Sequence, residues 1–134
     1  KLGRNGIEDA EIAISAQCNR VNVSDGHTEC VSVKLSRPAT EKGVINAFED
    51  FNPLKSLKLP SSPQHPIIVR KEADRPQPKL DRNLENGMAS VVGRIRKCSV
   101  LDYKFVVLGH NTIRGAAGAA ILNAELMKAK GLIG

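Results

Sequence analysis

Apolar and polar positions first alternate, imperfectly, at residues 10–23 of the chain. Ile12, Ile14, Ala16 and Cys18 share one parity and Arg20 continues it, so the spacing predicts a strand. Ser24-Asp25-Gly26 is a turn signal. Alternation resumes from Thr28 to Leu35, with Val31, Val33 and Leu35 on one face and Thr28, Cys30, Ser32 and Lys34 on the other. His27 falls on the Val31/Val33 parity. Arg20 and His27 would then stand on either side of a sharp turn. A turn or bulge resets parity, so the pattern leaves open whether the two side chains converge.

The period then changes. Within residues 38–51, Val44, Ala47, Phe48 and Phe51 recur at helical spacing, and Pro53 helps to end the helix. Residues 52–66 carry four prolines and read as a surface loop, and Ile67-Ile68-Val69 reads as a short buried strand. Residues 72–86 form a second polar, proline-containing segment, long enough to be a functional or interface loop. Strands are predicted over Met88–Lys97 and Leu101–Gly109. The last element runs from His110 to Gly131 as a helix, with Asn111 or Thr112 as its N-cap. Its apolar stripe would be Ile113, Ala117, Ala120, Ile121, Ala124 and Met127, with Lys128 and Lys130 complementing the C-terminal dipole. Its first two turns are nearly all Gly and Ala, a surface that another backbone or a flat ligand can approach closely. The order predicts an α+β fold: a mixed, largely antiparallel sheet with helices on one face.

Length and composition narrow the function classes. At 134 residues the chain fits one domain with a real core. No apolar run approaches the roughly 20 residues of a membrane span, so no membrane partner is expected. The chain starts abruptly at Lys1, which reads as the interior of a longer protein. Net charge is +6, which raises the alternative of a basic module for nucleic acid. Lys and Arg are scattered, however, and aromatics are only 3%, too few for base stacking, so no nucleic-acid partner is expected. Cys18, Cys30 and Cys98 are an odd number without a CxxC spacing, which points to reduced thiols in a cytoplasmic setting. His27, His65 and His110 lack zinc-ligand spacing, so no metal is expected.

Two stretches carry a resemblance: Cys-Asn-Arg20-Val with Asp-Gly-His27-Thr and Val-Ser-Val-Lys, and Asn111-Thr-Ile-Arg-Gly-Ala-Ala-Gly-Ala-Ala-Ile-Leu-Asn-Ala-Glu-Leu. With Arg75-Pro-Gln-Pro-Lys-Leu-Asp81 and Asn86-Gly-Met-Ala between them, the chain resembles the C-terminal part of aspartate-semialdehyde dehydrogenases of the archaeal and fungal branch. The resemblance spans essentially the whole chain. It implies a domain similar to the C-terminal domain of glyceraldehyde-3-phosphate dehydrogenase-type enzymes. It also implies NADPH-dependent reduction of 4-aspartyl phosphate to aspartate semialdehyde, with release of phosphate, in the biosynthesis of lysine, threonine, methionine and isoleucine. Residues 1–109 would be the catalytic and dimerisation domain, and residues 110–134 a helix packing onto an NADP-binding domain. A homodimer or a homotetramer is expected.

By the same likeness, Arg20 corresponds to the arginine that binds the substrate carboxylate, a task suited to a planar, bidentate guanidinium. His27 corresponds to the general acid/base, since an imidazole exchanges protons near neutrality. The plain alternatives are a strand-end surface charge for Arg20 and a turn histidine for His27. Asn111, Gly115 and Ala116 are placed to meet a nicotinamide carboxamide; the alternative for Asn111 is a helix cap. The family's nucleophile lies in a Ser/Gly-Asn-Cys motif at a helix start, which this sequence lacks, as it lacks a GxGxxG loop. Cys18 falls inside the predicted first strand, and no predicted helix start or base stands beside Cys30 or Cys98 to lower its pKa. All three thiols are therefore expected to be structural and at least half-buried. The isolated chain is expected to be inactive and to bind NADP poorly.

Overall fold

The structure, a computed structural model, describes residues 2, 3 and 6–134. Two short strands, β1 (Leu2–Gly3) and β2 (Gly6–Ile7), pair antiparallel with each other. The main sheet comprises β3 (His27–Val33), β4 (Ile67–Arg70), β5 (Ser90–Lys97) and β6 (Tyr103–Gly109). Their spatial order is β3-β6-β5-β4. β6 pairs antiparallel with both β3 and β5, whereas β4 runs parallel to β5.

The alternation along β6 assigns the two faces. Tyr103 and Phe105 face α1 (Glu41–Glu49). Tyr103 donates its Oη–H to the Ala39 carbonyl at 2.9 Å, and Phe48 meets Phe105 edge-on with ring centroids 5.3 Å apart. Lys97 Nζ stands 4.2 Å from the centre of the Tyr103 ring. Thr40 starts α1 by accepting the Gly43 N–H on Oγ1 at 3.1 Å. Val106 and Leu108 point the other way, and Leu108 is fully buried at 0% exposure. Each such aliphatic side chain removed from water contributes about 1.5–3 kcal/mol. On this second face Arg75 and Pro76 cross β5 so closely that a Cβ at Gly93 would collide with the Arg75 carbonyl.

The segment expected to be a polar loop, residues 72–86, is organised by a buried carboxylate. Asp81 closes the single-turn α2 (Pro78–Asp81) and is 1% exposed. It accepts from Arg70 Nε at 3.2 Å, Arg75 Nε at 2.7 Å and the Gln77 N–H at 2.7 Å, and also from Arg75 Nη2. Burial pushes the carboxyl pKa up, but the Arg75 and Gln77 hydrogen bonds and the charges of Arg75 and Arg70 outweigh it. The net result lies below the usual carboxylate range.

The first predicted strand does not form. Residues 10–23 are irregular and exposed, and Ile14 is 81% exposed. A strand needs a ladder partner for its N–H and C=O groups, and among the described residues none lies beside this segment. Alternation predicted the faces of a strand that no described residue pairs.

The C-terminal element also departs from expectation. It opens as a π-turn over Ile113–Ala117, with hydrogen bonds from Gly115 N–H to the His110 carbonyl at 2.9 Å and from Ala117 N–H to the Thr112 carbonyl at 3.0 Å. α3 (Gly118–Ala129) follows. The wide turn rotates the helix relative to the predicted stripe. Leu122 is buried with Leu59 and Met88, and Leu54, Ile113 and Leu126 pack around them, whereas Ile121, Ala124 and Met127 are exposed. Ser61 fixes α3 by donating its N–H and Oγ–H to Glu125 at 2.9 and 2.8 Å.

Candidate functional site

The turn before β3 is held from two sides. Gly26 is buried with φ +118°, a conformation that favours glycine. A Cβ there would press on Leu108 Cδ1 and Pro78 Cβ, each at 3.1 Å. From the C-terminal side, Asn111 Oδ1 accepts the Gly26 N–H at 2.9 Å. From the α2 side, Arg82 Nη1 reaches the Asp25 carbonyl at 3.5 Å. The chain leaves this clamp directly into His27, which is exposed and lies opposite Gly109 in the β3–β6 ladder. His27 and Asn111, 84 positions apart in sequence, thereby share one end of the sheet.

Asn111 does not cap a helix, and Thr112 makes no side-chain cap either. The Asn111 carbonyl oxygen is committed to the turn, and its Nδ2 donates to no protein group among the described residues. Gly115 and Ala116 lie in the exposed π-turn that follows. His110, 7% exposed, secures this junction: its Nδ1 accepts the Ile113 N–H at 3.4 Å and stands 3.2 Å from Thr112 Oγ1. Sequence reasoning missed that anchoring role for His110, and the Asp81 cluster, because individual side-chain hydrogen bonds and ion pairs leave no periodic signal, even between residues a few positions apart.

Arg20 sits on the exposed, irregular segment, and no hydrogen bond or ion pair joins it to His27 or Asn111 among the described residues. The expectation of buried or half-buried thiols is corrected: Cys18 and Cys30 are exposed and only Cys98 is half-buried. Cys18 lost its shelter with the unformed strand. The Cys98 thiol is held below an ordinary cysteine's pKa by the Leu101 N–H, 3.4 Å from Sγ, and by the Val100 N–H, against desolvation. Cys98 follows Lys97, which is opposite Tyr103 and so level with Val33, at the far end of β3 from His27. Six residues of strand separate those ends, about 20 Å. Cys30 lies on the other face of β3 from His27, opposite Val106. Among the described residues no group of three or more His, Cys, Asp or Glu is arranged to hold a metal ion, and no helix is long and apolar enough to cross a membrane.

A sheet with a single parallel pairing is not the doubly wound, nucleotide-binding class; it defines an α+β domain. Residues 3–114 match the family model described as semialdehyde dehydrogenase, dimerisation domain, and the chain belongs to that family. It is 56% identical over 127 residues to the aspartate-semialdehyde dehydrogenase of Archaeoglobus fulgidus, covering 95% of this chain and 36% of that protein. It is 50% identical over 130 residues to the aspartate-semialdehyde dehydrogenase of Candida albicans, with coverage of 95% and 36%. The crystal structure of the Candida albicans enzyme with NADP superposes with a TM-score of 0.84 at 48% identity, covering 96% of this chain and 37% of that one. The chain therefore spans little more than a third of the length of these relatives. The family match leaves the alternative of a basic nucleic-acid module without support.

Proposed function

We propose that this chain is the substrate-binding and dimer-forming domain of an NADP-dependent aspartate-semialdehyde dehydrogenase, with His27 as its acid/base. The observation that carries this reading is the Gly26–Asn111 hydrogen bond. It fixes the residue before His27 to the start of the Gly/Ala-rich turn, inside the stretch that matches the family.

In this reading His27 holds and returns the proton of the reacting aldehyde oxygen, at a sheet end open to ligand. Arg20 pairs with the substrate carboxylate, and its side chain is free of competing ion pairs among the described residues. Asn111 offers Nδ2 to a carboxamide, and Gly115 and Ala116 present an exposed surface without bulky side chains, which fits close approach of a flat nicotinamide. NADP, when bound, supplies or accepts the hydride. The nucleophilic thiol comes from another part of the enzyme, a reading supported by the placement of Cys30 and Cys98 away from His27. Residues 110–134 pack on the NADP-binding domain, consistent with the exposed Ile121 and Met127.

The assembly is a homodimer or homotetramer of a cytoplasmic enzyme, supported by the dimerisation-domain match and by three free cysteines. Replacing Arg20 by Ala in the full-length protein tests the carboxylate role: KM for semialdehyde should rise at least about tenfold with the KM for NADP unchanged. An unchanged KM for semialdehyde would remove Arg20 from the site.

A further inference from the structure

One row of directly opposed residues, His27, Gly109, Ser90 and Ile67, crosses all four strands at the sheet end where the turn enters. Directly opposed residues project from the same face. The position beside the imidazole is therefore the one in this row without a side chain. Glycine within a strand weakens it and calls for a reason.

Two common reasons do not apply at Gly109. Its φ is not in the positive region, where only Gly6, Gly26, Gly87 and Gly131 are found among the described glycines. A Cβ built on Gly109 meets no heavy atom within 4 Å, whereas the same construction at Gly93 on the adjacent strand runs into backbone. The fold of this chain would thus accept a side chain at 109, and the space it would enter lies open next to His27. Beyond it stands Ser90, half-buried, whose hydroxyl makes no hydrogen bond among the described residues. Two strand spacings, about 10 Å, separate His27 from Ser90 across the glycine.

We infer that Gly109 is a specificity-determining residue: its missing side chain leaves the gap between His27 and Ser90 in which the reacting end of a short polar aldehyde or acyl substrate lies. This rests on the proposed role of His27. It deepens that role by assigning the clearance on which the imidazole's access to substrate depends.

The test is Gly109→Ala, Gly109→Val and His27→Gln, each in the full-length protein, with kcat, KM and Tm measured for all three. Ala should lower kcat/KM for semialdehyde about tenfold and Val about a hundredfold or more, mainly through KM, in line with the cost of one or more methyl groups placed where substrate lies. Tm should stay within about 3 °C of the parent or rise, because the added carbons meet no packed atoms and favour the strand. Gly109→Val with parent-like kcat/KM overturns the inference. So does a loss accompanied by a larger fall in Tm, which would make Gly109 a packing residue. If Gly109→Val is parent-like while His27→Gln is impaired, only the clearance role falls. If His27→Gln is itself parent-like, the proposed function falls with it.

Discussion

Asn111 Oδ1 accepts the Gly26 N–H at 2.9 Å, so the first residues of the C-terminal element and the turn that launches His27 are one mechanical unit. On the proposed function, the two halves of the Asn111 amide have separable duties: Oδ1 holds the turn and Nδ2 meets the cofactor. Asn111→Asp keeps the acceptor and loses the donor. In the full-length protein its stability should stay within about 0.5 kcal/mol of the parent, while KM for NADP rises. Asn111→Ala loses both and should also cost about 1 kcal/mol in urea denaturation. Equal stability losses in the two variants would show that the acceptor is not what the turn needs.

Gly26→Ala should be worse than Asn111→Ala. It forces a Cβ into a left-handed conformation and against Leu108 and Pro78. A cost of about 1–3 kcal/mol is expected by chemical denaturation. A variant as stable as the parent would mean that the clamp is loose.

Asp81 gives a pH dependence whose sign follows from its environment. Its folded pKa is lowered, chiefly because the Arg75 and Gln77 hydrogen bonds and the two guanidinium charges overcome desolvation. The carboxylate therefore contributes stability above the unfolded value of about 3.9, and this contribution is lost as pH falls through the folded value. At pH 7, Asp81→Ala should cost about 3 kcal/mol, because it strands Arg70 and Arg75 beside a vacated buried site. The gap between parent and variant should narrow at pH 3, read from denaturation midpoints at both pH values. A gap that is constant with pH would contradict the ion-pair account.

Cys98 should react with iodoacetamide at a lower pH than an ordinary thiol. The Leu101 and Val100 N–H groups stabilise its thiolate, and the thiolate is the reactive form. Mass-resolved alkylation against pH would show a Cys98 midpoint below about 8.5. A midpoint at or above that value would contradict the hydrogen-bonding seen at Sγ.

The elements whose partners lie within the chain were legible in the sequence. β3, β5 and β6 follow their periodicities to within about two residues and α1 to within about three, because Val31, Val33, Phe48 and Phe105 find packing partners here. Residues 10–23 carry an imperfect alternation that still read as a strand yet form none, since periodicity reports which face a strand would bury and not whether a ladder partner exists. The π-turn at Ile113 shifted the buried stripe to Leu122 and Leu126, a change of phase that no 3.6-residue count detects. His27 and Asn111 were legible as candidates, but the Gly26 hydrogen bond that joins them is a tertiary contact across 85 residues.

The central claim is that His27 moves the proton, and the pH profile of His27→Gln in the full-length protein tests it most directly. The account predicts that kcat falls at least about a hundredfold with KM for semialdehyde within a few-fold of the parent, and that the ionisation near neutrality disappears from the kcat profile. A variant that keeps the parent's kcat and its neutral-range ionisation would contradict it.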